Sequence, residues 1–203
     1  STPSFGTFTV GHSFGSGSGK YDEEVPQVYE QVSDAHHTTT ASANKIGDFM
    51  DNNVIAYTSP SFDLGGASLT IDAAYSPEAT DSAVGDGGNP AHSTTIGDGK
   101  ELGVTLSFEG FKAGVYGAER TRFNTVSATD DAVRDEFNGV WYAKYSFGPV
   151  SIGYSESYLD AGVSETDAVA TSAAKTYRTS GGLFENTQMS IAFNLNENFS
   201  ISY

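Results

Sequence analysis

Residues 59–75 read Ser-Pro-Ser-Phe-Asp-Leu-Gly-Gly-Ala-Ser-Leu-Thr-Ile-Asp-Ala-Ala-Tyr, a tight turn followed by strict alternation of side chains. Because successive side chains of a β-strand point to opposite faces, this alternation predicts one apolar face and one polar face. The apolar row comprises Ala67, Leu69, Ile71, Ala73 and Tyr75, and the polar row comprises Ser68, Thr70, Asp72, Ala74 and Ser76. A soluble sandwich contains similar strands, so the fold class depends on whether the pattern recurs.

The same pattern, a short turn flanked by strands of alternating apolar and polar side chains, recurs along the chain. Phe62, Phe108, Phe147 and Phe193 mark its copies, 46, 39 and 46 residues apart. Each copy is a strand, a short turn, a strand and a long polar loop, so short turns fall at one end of the strands and long loops at the other. That asymmetry predicts an all-β, antiparallel transmembrane β-barrel. Stacked repeats are the alternative, but the irregular spacing argues against them.

Composition and charge narrow the functional class. The 203 residues contain no Cys, which excludes disulfide and thiolate-metal frameworks, and no run approaches the roughly 18 apolar residues of a membrane-spanning helix. The net charge of −16 argues against a nucleic-acid partner, because phosphates attract a basic surface. An acidic balance suits cations, or a salty medium that screens self-repulsion.

The pattern predicts nine strands, near residues 5–12, 53–60, 67–76, 101–108, 111–118, 139–147, 150–157, 187–195 and 199–203. Long polar loops separate them at 13–52, 77–100, 119–138 and 158–186. Loops of this length are usually functional or mobile. We treat residues 1–203 as a single incomplete barrel domain, because a closed bacterial single-chain barrel has an even number of strands and an open sheet leaves raw edges in lipid.

Aromatic side chains lie in two bands. Those at the short-turn ends are Phe62, Phe108, Phe111, Phe147 and Phe199, and those towards the long loops are Tyr75, Trp141 and Tyr158. Two aromatic bands separated by aliphatic residues are typical of the two interfaces of a membrane. The alternative is a soluble β-sandwich, for example one that binds carbohydrate. The polar rows are too small and too consistently hydrophilic for that architecture.

The stretch Gly47-Asp-Phe-Met-Asp-Asn-Asn-Val-Ile-Ala-Tyr-Thr-Ser-Pro-Ser-Phe62 resembles the segment after the constriction loop in Gram-negative trimeric general porins. Residues 6–11, Gly-Thr-Phe-Thr-Val-Gly, resemble the strand before that loop. The resemblance implies a sixteen-stranded barrel in the outer membrane, of which this chain holds about strands five to thirteen. It also implies a homotrimer that contacts lipid and lipopolysaccharide and lets small hydrophilic solutes and ions diffuse passively.

Under this resemblance, residues 13–52 form the constriction loop, which folds into the lumen. The constriction candidates are the loop acids Asp22, Glu23, Glu24, Glu30 and Asp34. In the family such acids face bases on the opposite wall and set ion preference. Two features depart from the family pattern: its Pro-Glu-Phe-Gly-Gly-like loop tip is absent, and Ala56 and Thr58 occupy wall positions that commonly carry bases.

The predicted lumen wall consists of Thr58, Asp72, Lys144, Arg120 and Arg178. Lys112 is a further inward base, with a snorkelling residue at a turn end as its other interpretation. Arg120 and Arg178 have the alternative of lying on loop surface. Because loop acids outnumber bases, we expect a pore that prefers cations.

Other functions have less support. No Ser-His-Asp grouping, phosphate loop or paired buried carboxylates stand out, so we expect no enzymatic activity. We expect no metal site or cofactor either, although the Asp/Gly turns at 85–89 and 97–99 could bind calcium weakly. The alternative function is that of a surface-recognition barrel, an adhesin or phage receptor that acts through its long loops.

Overall fold

Ten strands form one antiparallel sheet in the computed structural model, which describes residues 4–11, 18–21, 24, 53–77, 96–122, 135–160, 183–196 and 199–202. The strands are β1 Thr7–Gly11, β2 Val54–Thr58, β3 Phe62–Asp63, β4 Ala67–Ser76, β5 Ile96–Phe108, β6 Phe111–Arg122, β7 Glu136–Phe147, β8 Val150–Asp160, β9 Leu183–Asn196 and β10 Phe199–Ser202. Residues Ser18–Tyr21 form a single 3₁₀ turn. No helix among the described residues is long and apolar enough to cross a membrane.

Each main strand pairs with its neighbours in chain order, from β1 through β2 and β4 to β10, and the short β3 pairs with β4. This order follows from the hairpins, because an antiparallel strand can return through a short turn beside the strand before it. Within the described residues β1 and β10 are the two edges, and the sheet is open between them.

The turn before β4 shows how the sequence sets the register. Backbone amides of Gly65 and Gly66 donate to the Asp63 carboxylate at 3.0 and 3.1 Å, as in an Asx-type turn. Both glycines have positive φ, 76° and 102°, a conformation that side chains disfavour. The turn therefore requires this Asp-x-Gly-Gly sequence, and it fixes Phe62 opposite Leu69.

At their long-loop ends the strands extend beyond the predicted bounds. Strand β5 begins at Ile96 rather than near residue 101, and β9 begins at Leu183 rather than near 187. The ladder at Gly99, Lys100 and Glu101 pairs backbone groups, which need no apolar side chains. The apolar alternation therefore marks only part of each strand. The structure also adds the two-residue strand β3, which has too few residues for a period to be visible.

The two faces of the sheet differ in polarity. The outer face carries exposed apolar side chains, including Leu102 (57 % exposed), Ile152 and Met189 (75 % exposed). The inner face carries the opposite row, for example Thr58 and Asp72, which pair directly across β2 and β4. This inside–outside phase agrees with the prediction from the alternation.

Candidate functional site

The inner face holds a short segment from the stretch between β1 and β2. We call residues 18–21 together with Glu24 the anchor segment. Its central side chain is Tyr21, which is 1 % exposed. The Tyr21 hydroxyl donates to Asp72 at 2.6 Å and accepts from Thr105 at 3.4 Å. The anchor segment is therefore tied to the polar rows of β4 and β5.

Gly103 provides the space into which Tyr21 packs. A Cβ added at Gly103 would lie 2.4 Å from the Tyr21 ring, closer than real contacts allow. On the other side, the Tyr21 ring stacks on Tyr116, with ring centroids 5.1 Å apart and 23° between the planes. Because a side chain at position 103 would occupy the volume of the ring, glycine is needed there for close approach rather than for backbone flexibility.

Asp72 joins three polar groups at this point of the wall. Besides the Tyr21 hydroxyl, Thr58 donates to it at 2.7 Å and the Lys20 ammonium forms an ion pair with it. A carboxylate has two oxygens and can accept several hydrogen bonds at once, so Asp72 can hold all three partners. One side chain of β4 therefore links β2 with the anchor segment.

Glu24 bridges two lysines on the inner face. One carboxylate oxygen lies 2.6 Å from the Lys112 ammonium, and the other forms an ion pair with Lys144. Lys112 and Lys144 lie directly opposite each other on β6 and β7. Like charges in such a pair are unfavourable, and the Glu24 carboxylate between them offsets the repulsion.

An aromatic side chain supports this pair of lysines. The ammonium groups of Lys112 and Lys144 lie 5.6 and 6.0 Å from the centre of the Tyr142 ring, within the range of cation–π attraction. The Tyr142 ring itself packs over Gly114, directly opposite on β6. Lys112 therefore faces the anchor segment and the Tyr142 ring, as an inward base.

A second polar cluster lies nearer the long-loop ends. Arg120 on β6 is fully buried and is paired with Glu136 on β7, with Arg120 Nε donating at 2.9 Å. Tyr116 donates to Glu101 at 2.7 Å. Losing one partner of a buried ion pair typically costs about 3–5 kcal/mol, so we assign this pair a structural role in the wall.

The electrostatics of the anchor segment centre on Tyr21. Burial raises the pKa of its phenol above the ordinary value, and the hydrogen bond to Asp72 acts in the same direction. Both causes disfavour the phenolate, the first through desolvation and the second because only the neutral phenol donates to the carboxylate. Tyr21 is thus a neutral donor under ordinary conditions.

Some of the predicted site residues come together in the structure. Thr58 and Asp72 contact each other, and Lys144 contacts Glu24. Arg120 lies on the wall but pairs with Glu136, away from Glu24. Five predicted residues lie outside the described residues: Asp22, Glu23, Glu30, Asp34 and Arg178.

Of the two turns suggested as weak calcium sites, the structure describes only one. Residues 85–89 lie outside the described part of the chain. The prediction of a turn at 97–99 was wrong, because these residues lie inside β5, where the Asp98 carboxylate accepts a hydrogen bond of 2.8 Å from Thr121. This contact joins β5 to β6 at their long-loop ends.

Sequence reasoning did not identify Tyr21, Lys20 or Gly103. A signal for Gly103 was present, because a glycine inside an apolar strand often marks close approach of another group. Nothing comparable marks Tyr21, whose partner Asp72 lies 51 positions further along the chain.

Comparison with known proteins adds one match. A family model described as Gram-negative porin matches residues 1–196. No curated protein matches the sequence significantly.

Proposed function

Because the chain belongs to the Gram-negative porins, whose barrels lie in the outer membrane, we propose that it forms a pore for passive diffusion of small hydrophilic solutes and ions. The observation that carries the proposal is the anchor segment on the inner face. Tyr21 packs on Gly103 near the middle of β5, and Glu24 meets two lysines on β6 and β7. A polar segment held there would narrow the passage.

We extend this proposal to residues 13–52 as the constriction loop. The anchor segment belongs to that stretch, and the contacts of Tyr21 and Glu24 join it to four strands of the wall. In such a loop, charges act at a narrow passage where water screens them less than in bulk solution. Glu24 and the facing Lys112 and Lys144 would then form the acidic and basic sides of the constriction.

Cation preference is the finer part of the proposal. The net charge of −16 supports it. The cluster around the anchor segment does not by itself support a cation preference, since among the described residues it pairs the three bases Lys20, Lys112 and Lys144 with the two acids Glu24 and Asp72. The preference would therefore have to come from other acids, of which Asp22, Glu23, Glu30 and Asp34 are the candidates.

The test is conductance of the full-length protein in a planar lipid bilayer. We expect large conductance steps, which should occur in multiples of three if the protein is a homotrimer. The reversal potential in a salt gradient should favour cations. Absence of conductance by a correctly folded protein would contradict the pore and favour the surface-recognition function. Conductance with anion preference would retain the pore and overturn the charge assignment.

A further inference from the structure

Two lysines on the inner face share one carboxylate as their partner. Lys112 and Lys144 lie directly opposite each other on β6 and β7, and each oxygen of Glu24 contacts one of the two ammonium groups. The Glu24 side chain is 11 % exposed, whereas the side chains of Lys112 and Lys144 are 34 % and 30 % exposed. Part of each lysine is therefore open to solutes on the inner face, even while Glu24 is in place.

The wall behind these lysines is fixed by an aromatic side chain. Tyr142 lies two positions before Lys144 on β7 and is 1 % exposed, and its ring fills the space that a Cβ at Gly114 would occupy. The ring lies 5.6 and 6.0 Å from the two ammonium groups and attracts both. Cations that are positioned in advance bind a partner at lower entropic cost. We call Lys112, Lys144 and Tyr142 together the lysine site.

The charge of the lysine site is not balanced by its partner. Among the described residues, its two ammonium groups meet the single carboxylate of Glu24, which leaves one positive charge. A phosphate group carries a charge of about −1.5 to −2 near neutral pH, and lysine is a common ligand for it. Phosphate would therefore neutralise the two lysines more fully than Glu24 does. The net charge of −16 does not prevent this, because salt screens distant charges while these contacts are direct.

We propose that the lysine site binds a small phosphate dianion and that Glu24 is its resident competitor, so that phosphate binding releases Glu24 from the wall. This inference rests on the proposed pore, whose solutes would reach the inner face. Glu24 belongs to the anchor segment, which Tyr21 holds on Gly103. A competitor tethered in this way acts at an effective concentration in the millimolar range. Phosphate should therefore bind weakly to the wild-type protein, and more tightly whenever the hold on the anchor segment is weakened.

The test is calorimetric titration of the folded full-length protein in detergent with inorganic phosphate at constant ionic strength. Glu24→Gln removes the competing charge. We expect phosphate to bind this variant at roughly two- to thirtyfold lower concentration than the wild-type protein, the combined strength of two solvent-accessible ion pairs. Acetate carries only the single charge of the Glu24 side chain, so it should bind this variant more weakly than phosphate does. Lys112→Gln combined with Lys144→Gln should abolish phosphate binding.

Gly103→Ala separates competition from a simple change of charge. It leaves Glu24 and both lysines in place, but the new Cβ would clash with the Tyr21 ring and so loosen the anchor segment. We expect this variant to bind phosphate more tightly than the wild-type protein, by part of the gain seen in Glu24→Gln. Gly117→Ala is the matched control, because its Cβ meets Phe137 at an ordinary 3.5 Å on the outer face. It should bind phosphate as the wild-type protein does.

Equal binding by the wild-type protein and Glu24→Gln would overturn the role of Glu24 as competitor, and unchanged binding in Gly103→Ala would overturn its release. Equal affinity of Glu24→Gln for acetate and phosphate would overturn the choice of phosphate, and binding retained without the two lysines would overturn the site. Circular dichroism and the difference in gel mobility between folded and unfolded barrels establish that each variant is folded.

Calorimetry does not depend on conductance, so the two proposals fail separately. A protein that conducts ions but shows none of these differences loses only the lysine site. A folded protein that binds phosphate as expected but does not conduct contradicts only the pore.

Discussion

The Tyr21 hydroxyl donates a 2.6 Å hydrogen bond to Asp72, which lies on β4, 51 positions further along the chain. The same Asp72 carboxylate accepts from Thr58 and pairs with Lys20. Asp72 thus holds two residues of the anchor segment, Lys20 and Tyr21, on the sheet. If the anchor segment narrows the pore, disturbing this connection should change conductance without unfolding the sheet.

Gly103→Ala is the smallest change that disturbs Tyr21. The new Cβ would lie 2.4 Å from the Tyr21 ring, so the ring must move and its hydroxyl leaves Asp72. We expect the free energy that holds the anchor segment on the sheet, its docking, to weaken by roughly 1 kcal/mol, the net value of one hydrogen bond. The single-channel conductance should then be larger or noisier. Gly117→Ala is the control, because its Cβ meets Phe137 at an ordinary 3.5 Å on the outer face. Identical conductance in both variants would place Tyr21 outside the passage.

Glu24→Gln tests the charge balance of the passage. The substitution removes the carboxylate between Lys112 and Lys144 and leaves the two ammonium groups opposite each other. One charge about 4 Å away in a water-like medium is worth about 1 kcal/mol. We therefore expect the permeability ratio to shift towards anions by roughly fivefold, measured as the reversal potential in a salt gradient.

The control for Glu24→Gln is Glu109→Gln, which removes the same charge from the exposed turn between β5 and β6. It should leave the reversal potential unchanged. A shift of equal size in both variants would mean that overall charge, and not the position of Glu24, determines selectivity.

The fold was predictable from the sequence because its signal is local. The alternation around Ile71 follows from the pleat of one strand, and the turn at Asp63, Gly65 and Gly66 fixes where that strand begins. The prediction of an all-β antiparallel architecture is confirmed. The long-loop ends were less predictable, since the ladder around Gly99 and Lys100 continues where apolar alternation has stopped.

The contacts of the site were less predictable because they join distant parts of the chain. Glu24 was a candidate from its position in an acidic run, but its partners Lys112 and Lys144 lie 88 and 120 positions further on. Local spacing carries no information about such pairs. Arg120 is similar, since only the register of β6 and β7 places it opposite Glu136.

A pair of arginine substitutions tests the inside–outside phase of β4. Ile71 lies opposite Val104 on the outer face, and Thr70 lies opposite Thr105 on the inner face. Ile71→Arg would place a charge in lipid and should cost about 2–4 kcal/mol near the membrane centre. Thr70→Arg should fold normally and reduce cation flux. Urea titration in lipid vesicles compares the two, and equal stability would show that the assigned phase is wrong.

The pKa of Tyr21 predicts how docking depends on pH. Burial and the hydrogen bond to Asp72 raise this pKa, so the docked state holds the phenolic proton more tightly than the undocked state does. While Tyr21 is neutral in both the docked and the undocked state, its contribution to the free energy of docking does not change with pH. Once the pH exceeds about 10, the ordinary value for tyrosine, the undocked state loses its proton first and docking weakens as the pH rises further.

Single-channel conductance should therefore stay constant from neutral pH to about pH 9 and change only at higher pH. Tyr21→Phe is the matched variant, because it keeps the ring over Gly103 and lacks the ionisable hydroxyl. Its docking is weaker at every pH by the lost hydrogen bond to Asp72, so its conductance should already be altered at neutral pH. It should show no additional step in the alkaline range. An alkaline step of the same size in Tyr21→Phe would assign the titration to a group other than Tyr21, and a step below pH 9 in the wild-type protein would contradict the raised pKa.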